Sequence, residues 1–415
     1  MLLTSYAMFF LATMPFLFAR DRLIGIVYAL LFIYSFFSFL GYIYMPGYSE
    51  TLHAYFGDRV GELGIYFVFA SMALLFVINM ALYKGAVVNG NQITKGVGVV
   101  VAGNQNGPTI LWLILILFTV LTAVNYENLS WYIAELDEVP IQISFYILLF
   151  KMSSGLIVFC YVVFRMKIGD RYRKFVAPTI IYTFVFIAAA VKLGNRTDLA
   201  ALIIGIAYFE CAIRKIRPRV VVISAVIVII VMTLLTLLEM NRYADSVSQT
   251  TLSERIIKND YFAPAHVMLG AIAFNFIDPG EVIRSNFANA LVRMDYPFLQ
   301  KPVMDLFAPG VASRTASYAF YVFTEGFIFM GFWGFIYNAI VITGFVKLWN
   351  LLGCTSDPLV NLLIRSVIAT MAINVVRGQT CYFIKYLYMF TLPVLVVGVI
   401  LIGVRLVPRQ KVVTK

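Results

Sequence analysis

Apolar runs of about 20 residues recur from one end of this 415-residue chain to the other, and no other feature limits its fold as strongly. Wound as an α-helix at about 1.5 Å per residue, such a run matches a hydrocarbon core of about 30 Å. Lipid offers no water to the backbone, so each run must satisfy its own N–H and C=O groups, as helices do. The period-two alternation of barrel strands is missing. Only 13% of the residues are charged, where soluble domains carry about 25%. The expected architecture is an all-α, polytopic membrane protein with about eleven transmembrane helices. They fall near 2–19, 23–45, 61–83, 109–125, 140–164, 176–193, 197–213, 220–239, 320–346, 359–376 and 383–404.

The net charge of +11 would ordinarily raise the question of nucleic acid. Its distribution points to topology instead, because the basic residues cluster in alternate short loops. One set of loops, with the C-terminal tail, holds eighteen Lys and Arg, among them Arg165, Lys167, Arg171, Arg173, Lys174, Arg214, Lys215, Arg217 and Arg219. The opposite short loops hold five: Arg59, Lys192, Arg196, Arg377 and Lys385. This asymmetry places the N-terminus outside and the C-terminus in the cytoplasm. Arg20 and Arg22 follow the first run rather than precede it, so a retained first helix is expected, not a cleavable signal. The cysteines Cys160, Cys211, Cys354 and Cys381 are scattered without a CxxC, which supports neither a zinc site nor a disulfide framework.

One connection is long. The segment 240–319 carries seven basic and seven acidic side chains and is rich in aromatics such as Tyr261, Phe274, Phe287 and Phe298. A loop of that length is usually functional or disordered, and the aromatic content favours order. The chain thus divides into eight helices over 1–239, a large external loop over 240–319, and three helices with a cytoplasmic tail over 320–415. Within the loop, Asp278-Pro279-Gly280 predicts a turn between amphipathic helices near 253–276 and 281–294, suited to the outer membrane–water interface. No internal repeat is visible, which argues against an inverted-repeat transporter.

Candidate chemistry gathers on the external side. Gly194-Asn195-Arg196-Thr197-Asp198 forms a very short external turn. A guanidinium held there suits a phosphate, because its donors lie in one plane; the alternative is a turn Arg paired with Asp198 or with lipid headgroups. Arg284, Arg293 and Arg377 add basic residues around the loop. Arg314 sits in Ser313-Arg314-Thr315-Ala316-Ser317-Tyr318, where hydroxyls, including that of Tyr318, flank a cation and suit an anion or a sugar. Glu325 follows, with Gly326, Gly331 and Gly334 behind it. An acid at membrane depth needs a partner or a role; a general base for a sugar hydroxyl and an ion pair with one of the arginines are both open. His266 is the other candidate base. Lys151 lies in mid-span, where it could bind a pyrophosphate or pair with Glu210, and pairing is the expected use. No acidic cluster resembles a magnesium site, so neither metal nor cofactor is expected.

The order of these features resembles the O-antigen and oligosaccharide repeat-unit polymerases, often called Wzy-type. These are multispan proteins with a Gly-x-Arg turn before a mid-chain helix, a large periplasmic loop, and an acid–Gly segment at its end. The matching stretches are Gly194 to Asp198, the loop from Met240, and Ser313 to Gly334. The resemblance implies a GT-C-like, metal-independent glycosyltransferase of the bacterial inner membrane. In its reaction a sugar hydroxyl of one lipid-linked repeat unit attacks the anomeric carbon of the growing glycan, and undecaprenyl pyrophosphate leaves. The implied partners are the undecaprenyl-pyrophosphate-linked donor and acceptor, the bilayer and a chain-length regulator protein, with no nucleic acid. An O-antigen ligase, with His266 as base, and a flippase for an anionic glycolipid remain the alternatives.

Overall fold

The computed structural model describes residues 25–28, 30, 31, 58–82, 107–125, 141–166, 176–193, 196–213, 264–291, 298–307, 320–352 and 358–402. Their regular structure is entirely helical. In chain order the elements are α1 (Asp58–Leu82), α2 (Gly107–Val124), α3 (Ile141–Arg165), α4 (Val176–Leu193), α5 (Arg196–Ile213), α6 (Pro264–Ala273), α7 (Pro279–Leu291), α8 (Gln300–Phe307) and α9 (Val322–Met330). A 3-10 turn at Gly331–Trp333 leads to α10 (Gly334–Leu352). Then come α11 (Pro358–Ala369), α12 (Ala372–Arg377), α13 (Thr380–Tyr386), a π segment at Leu387–Thr391, and α14 (Leu392–Ile402).

By length and composition, Arg59–Ile78, Val360–Arg377 and Thr380–Gly398 are long and apolar enough to cross a membrane, as Val322–Trp349 would be if it ran straight, and Thr109–Val124 and Val176–Val191 are shorter apolar helices. Helices α1 to α5 fall on the third to seventh expected spans. The expected spans 2–19 and 220–239, and most of 23–45, lie outside the described residues. Several of these helices also present large apolar side chains outward: Leu113, Leu117 and Val120 on α2, and Ile181 and Phe184 on α4. That pattern suits a helix surrounded by lipid and would be anomalous in water.

The chain forms two compact units. One comprises residues 88–215, 347–371 and 387–415. Its centre is α3, which packs against α2, α4, α5, α11 and α14. Every residue from Ser153 to Cys160 is buried. The approach of α5 is close because Gly205 has no side chain: a Cβ there would lie 2.6 Å from Val158 and 2.8 Å from Thr370. Small residues at such crossings let helices gain dispersion contacts in the absence of a hydrophobic driving force. The tyrosine hydroxyl of Tyr182 is satisfied by Ser153.

The other unit comprises residues 1–87, 216–346 and 372–386. Helix α6 packs on α1, α8 and α9, and α7 packs on α9 and α13. The predicted turn at Asp278-Pro279-Gly280 is a helix start. Asp278 Oδ1 accepts the Glu281 N–H at 2.9 Å, and Pro279 occupies the first helical position, where its missing N–H costs nothing. The described part of the first loop helix begins at Pro264, and residues 253–263 lie outside the described residues.

The expected single span 320–346 is instead a helical hairpin. In one straight helix Phe323 and Asn338 would stand about 22 Å apart, yet Asn338 Nδ2 donates to the Phe323 carbonyl at 3.3 Å. The chain reverses at Gly331, whose φ of 59° and ψ of −137° belong to a region that side chains disfavour. Gly326 of α9 and Gly334 of α10 then meet backbone to backbone, with no room for a Cβ on either. Asn338 also donates to Ser71 Oγ of α1 at 3.1 Å, tying the hairpin to that helix. Nine residues make α9 about 14 Å long, too short to cross a bilayer, whereas the 19 of α10 make about 28 Å.

Candidate functional site

Polar residues on α7 share one buried face. Ser285 and Asn289, four apart, lie on the same side of the helix; both are buried, and the Asn289 amide donates to the Ser285 carbonyl at 2.9 Å. Asn286 beside them is half-buried. This face meets two other segments of the same unit: the α9–α10 hairpin, and the tight connection from α12 into α13 through Gly378 and Gln379.

Glu325 is the centre of the assembly and is 0% exposed. Asn286 Nδ2 donates to its Oε1 at 2.6 Å, and the Thr380 backbone N–H donates to its Oε2 at 2.7 Å. The Tyr337 hydroxyl donates to Oε1 as well and lies 3.4 Å from Thr380 Oγ1. Asn286 is held in one orientation, because its Oδ1 accepts the Cys381 N–H at 2.9 Å. The first N–H groups of a helix have no acceptor within it. Here Glu325 takes that of Thr380 and Asn286 takes that of Cys381, so the pair caps α13. A carboxylate at a helix start also gains from the helix dipole. A carboxylate offers about four lone-pair positions, and Asn286, Tyr337 and the backbone and side chain of Thr380 address them.

Gln379 extends the cluster. It is 1% exposed, and its Oε1 lies 3.4 Å from both Ser285 Oγ and Cys381 Sγ. Its Nε2 has no hydrogen-bond partner among the described residues. The three residues that donate to Glu325 are each half-buried while the acid is covered completely.

The structure places the other expected residues as follows. Arg377 ends α12, half-buried, three residues before Thr380. Arg284 is exposed on α7, two residues and about 200° of helix turn from Asn286, so it projects away from Glu325. His266 is buried on α6, which packs against the α9 helix that carries Glu325. Arg293, Arg314 and Tyr318 lie outside the described residues. Arg196 opens α5 in the other unit, and Asp198, two residues on, is buried. Among the described residues Glu325 is met by neutral donors and no cation bridges it; Arg293 and Arg314, two of the arginines considered for an ion pair, lie outside them. The expected Lys151–Glu210 pair is corrected. Glu210 instead binds Arg165 Nε at 3.1 Å and accepts from the Tyr161 hydroxyl at 2.7 Å. Lys151 lies ten residues before Tyr161 on α3, about 15 Å along the axis, where its electrostatic neighbour is Asp198.

Ser285, Asn286, Tyr337, Gln379 and Thr380 were not singled out by sequence. The only local trace was the run of Ser285, Asn286 and Asn289 on a helix otherwise carrying Val282, Ile283 and Phe287. Among the described residues no three His, Cys, Asp or Glu side chains converge as a metal site would require. Comparison of the chain with protein-family models, curated proteins and solved structures finds no match.

Proposed function

We propose that this protein is a repeat-unit polymerase of the Wzy type, a GT-C-like glycosyltransferase working at the periplasmic face of a bacterial inner membrane. One observation carries the reading: a fully buried carboxylate, met among the described residues by neutral hydrogen-bond donors, sits where the external-loop helix α7, the α9–α10 hairpin and the α12–α13 turn converge. Burying an acid is costly, and such a cost is usually retained at a functional site. In the proposed reaction the acceptor's sugar hydroxyl attacks the anomeric carbon of an undecaprenyl-pyrophosphate-linked glycan. Glu325 orients the attack or takes the proton. Arg314, with Arg284, Arg293 and Arg377 around the loop, stabilises the departing pyrophosphate through planar, charge-assisted donation; Arg196 is a separate phosphate-binding candidate.

The proposed membrane placement follows from the same elements. The hairpin tip exposes Phe332 and Trp333, the side chains that favour a membrane–water interface. Tyr337 lies four residues past Trp333, so the carboxylate it meets is about 6 Å below that tip.

The test is incubation of purified protein with lipid-linked repeat units alone. A ladder of polymer lengths is the expected product. Transfer solely to an added lipid acceptor would assign the protein to the ligases. Movement of the lipid across liposomes without any new glycosidic bond would make it a flippase.

A further inference from the structure

We infer that the Tyr337 phenol, rather than the Glu325 carboxylate, is the group of this cluster that touches the acceptor hydroxyl, with Glu325 acting through it. The inference rests on the polymerase reading and deepens it. Glu325 is 0% exposed, so a substrate that acts on it does so through a neighbouring group, and the groups bonded to its oxygens are the first candidates. Those groups belong to Asn286, Tyr337 and Thr380, all half-buried. The Asn286 amide is engaged at both ends, on Glu325 and on the Cys381 N–H, and an amide does not pass a proton. The Thr380 backbone N–H is likewise a fixed donor. Two hydroxyls remain, those of Tyr337 and Thr380, 3.4 Å apart. The phenol is the more acidic by chemical type, and it already donates to Glu325 Oε1.

The proton path is then short. The acceptor oxygen forms its bond to the anomeric carbon while its proton passes to the Tyr337 oxygen. The phenolic proton passes in the same step to Glu325 Oε1. The bond from the anomeric carbon to the pyrophosphate oxygen breaks, and its electron pair leaves with the lipid pyrophosphate. The proton returns from Glu325 through Tyr337 to solvent or product before the next turnover. Tyr337 is thus the catalytic contact and Glu325 the group that orients it and stores its proton. Asn286 and the α13 cap hold that carboxylate still.

The experiment compares the wild type with Tyr337→Phe in the polymer-ladder assay. The variant keeps the ring and its contact with Phe329, at 4.9 Å between centroids, and removes the hydroxyl. Its kcat should fall by roughly 10²–10⁴-fold, the range of general acid–base contributions, while KM for the lipid-linked unit changes by less than about threefold. A second variant carries 3,5-difluorotyrosine at position 337, with shape kept and the phenol made more acidic. It should displace the pH profile of kcat, which a packing role would leave in place. This second variant decides the matter if Tyr337→Phe fails to fold. Phe at wild-type kcat, or an unmoved pH profile in the fluorinated protein, overturns the relay while leaving the polymerase reading intact. A wild type that forms no glycosidic bond overturns the reading itself, and the relay with it.

Discussion

Replacing Glu325 by Gln would ordinarily count as a mild change of charge at constant shape, but here the donor pattern makes it structural. Oε1 accepts from Asn286 and Tyr337 and Oε2 accepts from Thr380. A Gln amide must place its NH2 at one of those positions. In one orientation it confronts the Thr380 N–H; in the other it confronts the Asn286 NH2, which cannot turn because Asn286 Oδ1 is held by Cys381. Either way a charge-assisted bond of about 1.5–3 kcal/mol is lost, and a buried donor is left unpaired at about 1–3 kcal/mol. Removing a buried charge offsets part of this, which leaves a net destabilisation of about 2–4 kcal/mol. The logic predicts its own rescue. In Glu325→Gln with Asn286→Asp, the Gln NH2 donates to the new carboxylate and its carbonyl accepts from Thr380. Asp at 286 still accepts the Cys381 N–H, and Tyr337 turns its proton toward Thr380 Oγ1. Unfolding measured in detergent should show each single variant destabilised and the double variant recovered, with a coupling energy of about 2 kcal/mol or more. A double variant no more stable than the sum of the singles would refute the donor-shell argument. Polymer synthesis should stay lost in the rescued protein, because the carboxylate no longer meets Tyr337; recovered synthesis would reduce Glu325 to a clamp.

Gly334→Val should prevent folding of the hairpin, since its Cβ would fall on the Gly326 backbone, whereas Gly344→Ala, with nothing within 4 Å, should express and unfold like wild type; equal behaviour of the two variants would contradict the reversal at Gly331. For topology, a membrane-impermeant thiol reagent applied from outside should label Ala273→Cys, which is exposed at the end of α6, and spare Asp170→Cys; the opposite pattern would invert the orientation. Ser285→Cys, although it lies in the expected external loop, should resist labelling because Ser285 is 0% exposed. Arg196→Ala and Arg314→Ala should each abolish polymer in a folded protein, and Lys at either position should restore only part of it, because the ammonium lacks the planar fork; normal glycan length in both alanine variants would remove these residues from the mechanism.

Much of the fold was legible because membrane helices are specified locally. Run length, loop charge and Gly or Pro punctuation are properties of neighbouring residues, and the limits of α4, Val176–Leu193, coincide with the sequence reading. The hairpin was not legible. Gly326, Gly331 and Gly334 stood out, but glycines occur in straight membrane helices as packing surfaces as often as they mark breaks. Only the meeting of Asn338 with Phe323 distinguishes the two. Likewise Lys151 had a plausible partner in Glu210 until the register of α3 against α5 set Arg165 there instead.

The sequence by itself determined that the chain is helical, that apolar helices dominate it, and that an acid lies at the edge of one of them, since each follows from the cost of exposing backbone or charge to lipid. Tertiary structure alone decided what that acid meets. Its donors come from 39 residues before it, 12 after and 55 after. No local periodicity relates positions so far apart. They meet because Gly331 reverses one helix, which sets α9 and α10 beside donors of α7 and α13, and because lipid and protein both refuse to leave a carboxylate unsatisfied.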